Sequence, residues 1–227
     1  MNLIYHTGVI SLVIQIITWF VDIYVLSLKF DPALSFLRSL LWIEFFVQIV
    51  EGIFYIWLVS RFSTISNITI YRYYDWIFTT PTMLFTYCMY LYYINKENSN
   101  EKKQGELQKS FFETVSENTP VLVPIFVLNT LMLFFGYLVE LKRLPAISGA
   151  VLGFIPFFMF FYLIYDNYAK YSSVGRITFW YFSGIWGLYG IASVLSYKYK
   201  NVFYNILDLF SKNFFGIFLA VVLLIQH

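Results

Sequence analysis

The sequence predicts an all-α membrane protein: a bundle of seven transmembrane helices, N-terminus extracellular and C-terminus cytoplasmic. Three observations carry this. First, 59% of the 227 residues are hydrophobic and only 12% are charged, where a soluble domain carries roughly 25%. Second, the 15 basic and 13 acidic residues are bunched, with nine of them between Lys96 and Glu117. Third, the rest of the chain divides into apolar runs near the ~20 residues that cross a bilayer. A soluble domain, a nucleic-acid binder and a disordered chain are excluded, and an enzyme is not expected. The single cysteine, Cys88, lies in an apolar run, which leaves neither a disulfide framework nor a cysteine metal site.

The spans fall at about 5–28, 33–59, 71–95, 119–139, 146–166, 177–197 and 202–226. The first has no basic segment before Val9 and is long enough to span, so it reads as a helix and not as a cleaved leader. Asp31-Pro32 ends it, and the stretch Ser60 to Asn67 ends the second. A polar cytoplasmic loop at about 95–118 follows the third. Lys142 to Pro145, Asn167 to Gly175 and Lys198 to Asn201 mark the later breaks. Short loops make neighbouring helices antiparallel, and residues 1–227 form one domain. With the N-terminus outside, eight Lys/Arg fall on inner loops and six outside, which sets the orientation. It also places the sequon Asn67-Ile68-Thr69 outside.

An ionisable residue in mid-membrane costs at least ~2.5–3.5 kcal/mol on insertion scales, so each needs a partner or a function. Asp208 and Lys212 in the last span are four apart and share a face. Arg72, Asp75 and Thr79 in the third span share another, at i, i+3 and i+7. If the helices meet, two carboxylates balance one arginine and one lysine. A structural ion pair accounts for the last span alone, and a desolvated lysine also suits Schiff-base formation with an aldehyde.

The motif Arg72-Tyr-x-Asp75-Trp76-x-x-Thr79-Thr80-Pro81, with Asp208-x-x-x-Lys212, resembles the microbial (type 1) rhodopsins. The resemblance implies all-trans retinal bound to Lys212 as a protonated Schiff base. It implies Asp75 and Asp208 as counter-ions, Arg72 on their extracellular side, Thr79 hydrogen-bonded to Asp75, and Trp76 and Met83 against the polyene. Asn129, Met132 and Gly136 match the fourth-helix pattern, with Asn129 touching Thr80. Ser148 is expected near the retinal ring, and Phe179, Phe182 and Trp186 fit the family's ring of aromatics at spacing 0, 3, 7. The family's proton-donor position is Thr86, which cannot donate at neutral pH, and the release-group region carries Lys198 and Lys200 instead of glutamates.

Two further stripes stand without the family. Glu44, Gln48, Glu51 and Tyr55 recur at i, i+4, i+7, i+11, and Ser11, Gln15, Thr18 and Asp22 at the same offsets. Asn205, Asp208 and Lys212 add a third row, with Asn213 alongside. Interhelical hydrogen bonding explains glutamines and serines, but two glutamates in one span exceed it and suggest an acid-lined path. Glu51 and Asn213, with Ser11 beside them, resemble the central gate of channelrhodopsins. Chain length, aromatic content and this stripe look most like the viral rhodopsins of giant algal viruses. The expectation is a light-gated channel for monovalent cations or protons, in the plasma membrane of a host cell. An outward proton pump, a sensory rhodopsin and a seven-span transporter without chromophore are the alternatives. Lipid is the expected partner, nucleic acid is not, and a homo-oligomer is left open.

Overall fold

A computed structural model describes residues 2–98 and 110–226. Seven helical spans are present: α1 (Asn2–Ser27), α2 (Ser35–Arg61), α3 (Ile68–Asn98), α4 (Phe111–Glu140), α5 (Ala146–Asn167), α6 (Ser173–Ala192), and a last span in three pieces. That span runs as α7 (Tyr197–Asp208), a π-helical turn (Leu209–Asn213) and α8 (Phe214–Gln226). Each span packs on the next, and α1 closes the ring against α7 and α8. Five spans are by themselves long and apolar enough to cross a membrane. The other two, α3 and α6, carry Arg72, Asp75 and Arg176.

Phe20, Phe46, Phe78, Phe158 and Trp180 are exposed on the outer surface, where lipid replaces water as solvent. The interior divides. Between α3, α5, α6 and α8 it is apolar, with Leu84, Tyr87, Phe160, Phe182 and Phe215 buried together. Between α1, α2 and the last span it is polar: Gln15, Asp22, Glu44, Gln48 and Glu51 are all 0% exposed.

Several boundaries differ from those expected, each for a local reason. The fourth helix begins eight residues before 119, because Ser110 and Glu113 form a reciprocal capping box at 3.2 and 2.8 Å. The polar loop is correspondingly shorter at both ends, and its middle, 99–109, lies outside the described residues. The sixth helix starts at Ser173, where the Ser172 hydroxyl accepts from Gly175 N at 2.9 Å. The break at Lys198 to Asn201 is instead helical, because those polar side chains find partners across the bundle: Lys200 pairs with Glu140, and Asn201 with Arg72.

Candidate functional site

The π-turn holds Lys212 at the centre of the bundle, 2% exposed. Such turns are rare and often mark functional positions, since they leave the regular i→i−4 ladder. Three carboxylates surround Lys212 Nζ: Asp75 Oδ2 at 2.7 Å, Glu51 Oε1 at 3.7 Å and Asp208 Oδ1 at 3.9 Å. The expected meeting of the third and seventh spans is therefore present, and Glu51 joins it from α2. Charges this deep are tolerated when paired and hydrogen-bonded.

On the side of the α1 N-terminus, the polar groups close on one another. Arg72 Nη1 lies 3.2 Å from Asp208 Oδ2, Nε donates to Asn201 Oδ1 at 3.2 Å, and Nη2 donates to Asn205 Oδ1. Tyr55 and Tyr189 donate to the two oxygens of Asp208 at 2.7 and 2.6 Å. Asn205 Nδ2 reaches Thr7 at 2.8 Å, and the Ser11 hydroxyl donates to the Asn205 carbonyl at 3.0 Å. Phe54 and Tyr204 lie on the Arg72 guanidinium, ring centres 5.3 and 5.6 Å away. This is a satisfied plug across α1, α2, α3 and α7. Asn205 and Ser11, expected along an ion path, are tied into it, and Ser11 meets Asn205 instead of Glu51.

Towards the other side the pattern reverses. The side-chain polar atoms of Gln15, Asp22, Glu44, Gln48 and Glu51, with Trp19 Nε1 and Asn213 Oδ1, are buried without a hydrogen-bond partner among the described residues. Glu51 and Asn213 are thus not held in a hydrogen-bonded gate, since the Glu51 carboxylate faces Lys212 through space. Gly216, one turn beyond Lys212, gives this row its room. A methyl group there would collide with the Gln48 amide and come within 3.2 Å of Asp22 Oδ2.

A cleft, not fully enclosed, opens beside Lys212, with about 850 Å³ of space between its walls when the open solvent at its mouth is included. Trp76, Thr80, Met83, Met132, Gly136 and Trp186 line it. Asn129 lies outside the lining and donates to Thr80 Oγ1 at 2.8 Å, which makes the expected contact between the third and fourth helices. Three expectations need correction. Thr79 donates to the Asp75 main-chain carbonyl at 3.0 Å, not to its carboxylate, because the i→i−4 carbonyl is nearer to hand. Ser148 is exposed, and the lining residues are Gly149, Ala150 and Gly153, one position further round α5. Phe179 and Phe182 pack away from the cleft, on Tyr165 at 5.0 Å and on Tyr87 at 4.4 Å. The aromatic face of α6 repeats after seven residues, two helical turns, so Trp186 begins the lining set and does not end it. Tyr189, Gly190 and Ser193 continue it.

Tyr55, Tyr189, Asn201 and Tyr204 were missed as site residues. Tyr55 sits on the same stripe as Glu51, and Tyr189 lies three residues after Trp186, so both carried a signal in the sequence. The sequon also changes meaning. The Asn67 side chain accepts from Thr69 N at 3.0 Å, and the buried Thr69 hydroxyl accepts from Asn201 at 3.0 Å. The triplet begins α3 and braces the plug.

Fold and site together define a seven-helix membrane protein organised round one buried lysine and its carboxylates. The family described as bacteriorhodopsin-like protein matches residues 2–226. The chain belongs to that family, whose members are microbial rhodopsins with a retinal chromophore. Viral rhodopsin OLPVRII superposes with a TM-score of 0.80 at 24% identity, covering 99% of each chain. Acetabularia rhodopsin I gives 0.74 at 14%, covering 100% of this chain and 96% of its own. Halorhodopsin, a light-driven chloride pump, gives 0.70 at 14%, covering 96% and 93%. No curated protein matches significantly. The residues present fit retinal: an apolar cleft walled by two tryptophans and two methionines ends on a buried lysine, and Asp75 Oδ1 beside it has no hydrogen-bond partner among the described residues.

Proposed function

We propose that the protein is a light-gated cation channel of the plasma membrane, N-terminus outside, with all-trans retinal on Lys212. The observation that carries the channel reading is the row of buried polar groups from Asp22 and Glu44 to Glu51, whose side-chain oxygens have no hydrogen-bond partner among the described residues. Buried polar atoms without protein partners are satisfied by water, so this row is a wet, acid-lined approach to Lys212. A protein that only held a chromophore would have no need of it.

Retinal, joined to Lys212 as a protonated Schiff base, supplies light absorption and a change of shape at that nitrogen. The chain does the rest. Asp75 Oδ2, 2.7 Å from Nζ, is placed to accept its proton. Asp208 holds Arg72, Tyr55 and Tyr189 on one side and shares the Lys212 field on the other, so a charge change at Lys212 reaches the plug directly. Glu51 sits where the wet row meets the lysine, and Glu44, two turns away on α2, faces the same row and offers its oxygens to passing cations.

An outward proton pump also uses Asp75 as acceptor, and that carboxylate is in position. Against it, Thr86 at the donor position bonds the Thr82 carbonyl at 2.9 Å and carries no transferable proton. Whole-cell photocurrents against voltage separate the two. A channel gives current that reverses sign with voltage and follows the cation gradient. Current of fixed direction at every voltage refutes the channel reading.

A further inference from the structure

The π-turn that carries Lys212 leaves one backbone acceptor in need of a partner. Phe214 N donates to the Leu209 carbonyl, five residues back. In an α-helix it would donate to Phe210, four residues back. The Phe210 carbonyl thus loses its regular donor, and an unpaired carbonyl in hydrocarbon is costly. Tyr181, on α6, fills the gap: its hydroxyl donates to the Phe210 carbonyl oxygen at 2.8 Å.

Both residues stand on the outer face of the bundle, 40% and 37% exposed. A phenol facing lipid is itself costly without a partner, so the two groups satisfy each other where water is scarce. Tyr189, also on α6, meets the same turn from inside, through Ser211 Oγ at 2.8 Å, and reaches Asp208 Oδ1 at 2.6 Å. The turn is therefore held by α6 from the lipid side and from the interior. The outer contact lies two residues before Lys212, whose Nζ is 2.7 Å from Asp75 Oδ2. One residue is about 100° of rotation in a regular helix, so the direction of Lys212 depends on the turn being kept.

We propose that Tyr181 is a positioning residue: its hydroxyl stands in for the missing backbone donor and keeps the π-turn that points Lys212 at Asp75. The proposal rests on the retinal reading, because the chromophore is what reports the Lys212–Asp75 contact. The test is Tyr181→Phe, which removes one oxygen and keeps the ring, in the full-length protein reconstituted with all-trans retinal in lipid. Two readouts follow the contact: the position of the visible band, and the alkaline pH at which a near-ultraviolet band replaces it as the nitrogen loses its proton. A more distant carboxylate holds that proton less firmly and moves the band to longer wavelength. Tyr181→Phe therefore shifts the band in the same direction as Asp75→Asn, by less. It also lowers the titration midpoint by up to about one pH unit, the tenfold that a single hydrogen bond supplies. Tyr181→Leu does the same in both readouts. Tyr162→Phe, which takes a hydroxyl from a lipid-facing tyrosine of α5, 65% exposed, changes neither. A tyrosine that only braces α6 against the last span predicts a lower unfolding midpoint in Tyr181→Phe with band and titration unmoved, and that result overturns the proposal. So does a change seen in Tyr181→Leu alone, which assigns the effect to the ring and not to its hydroxyl. A parent protein that forms no visible band refutes the retinal reading; a parent band whose position and titration are unmoved in Tyr181→Phe refutes the positioning role alone.

Discussion

Removing the Arg72 guanidinium is the sharpest perturbation of the plug. In Arg72→Met a similar volume remains, but Asp208 Oδ2 loses its cation at 3.2 Å, the Asn201 side-chain oxygen loses its donor, and that of Asn205 keeps only the Tyr55 hydroxyl at 3.4 Å. Breaking a buried ion pair from one side costs about 3–5 kcal/mol, because the other charge is left uncompensated. Asp208 keeps Tyr55 and Tyr189, which holds the loss to that range and not above it. At roughly 2–4 °C per kcal/mol for a chain of this length, the unfolding midpoint falls by roughly 6–20 °C. Loss of the visible band on heating reads that midpoint. Asp208→Asn added to Arg72→Met removes the stranded charge, so the double variant regains stability over Arg72→Met, with a coupling of about 0.5–3 kcal/mol. An Arg72→Met midpoint within a few degrees of the parent, or a double variant whose losses simply add, refutes the plug as a unit of charge compensation. The same variant also removes the hydrogen bonds that close the plug, and a current in the dark is expected from it.

Other outcomes follow from single distances. Asp75→Asn moves the absorption band to longer wavelength, and Glu51→Gln does so by less, because their oxygens lie 2.7 and 3.7 Å from Lys212 Nζ; equal spectra for both variants and the parent refute the arrangement. Glu51→Gln also lowers the photocurrent or alters its proton share, measured by the reversal potential in two pH gradients. Gly216→Ala displaces the Gln48 amide and lowers the photocurrent while the band stays in place, since Gly216 is outside the cleft. Ser148→Ala leaves the band unmoved, whereas Gly149→Val, pressed against Val139 and the Phe135 carbonyl, lowers pigment yield on retinal titration.

The parts of the site legible in the sequence were those fixed by cost. Arg72, Asp75, Asp208 and Lys212 are intolerable in hydrocarbon unless they meet, so their spacing on two helices sufficed to bring them together. The stripes on α1 and α2 were legible for the same reason. What the sequence hid depended on rotation and on partners supplied from elsewhere. The aromatic positions of α6 repeat every two turns, so Phe179, Phe182 and Trp186 satisfied the spacing in the wrong register, and only the hydrogen bond from Tyr189 to Asp208 resolves it. Ser148 and Gly149 differ by 100° on a helix, and one such step turns a side chain from the cleft to lipid. Lys198 to Asn201 looked like a loop because polar residues usually end a span; Glu140 and Arg72, distant in sequence, make them helical.

On the proposed channel reading, the contrast between the two halves of the polar interior also points to where the path is closed. In the half lined by Asp22, Glu44 and Gln48, the side-chain polar atoms have no hydrogen-bond partner among the described residues, the setting in which buried water binds. In the other half every polar atom of Arg72, Asn201 and Asn205 has a protein partner, and Asn205 alone ties α1, α2, α3 and α7 together. Charge-assisted hydrogen bonds contribute about 1.5–3 kcal/mol each, so breaking several at once without replacement exceeds what a fast, reversible gate can use. On the proposed reading, opening exchanges them for water as they break, and the proposed wet row lies on the Glu51 side. That requires the barrier to yield from Lys212 outwards: first Asp208, then Arg72, then Asn205. The π-turn at Leu209–Asn213 is the place where the helix gives way most cheaply. It begins directly after the aspartate that holds the plug and contains the lysine that feels the stimulus. A gate opening from the Arg72 side first would need the satisfied half to loosen before the stimulus reached it.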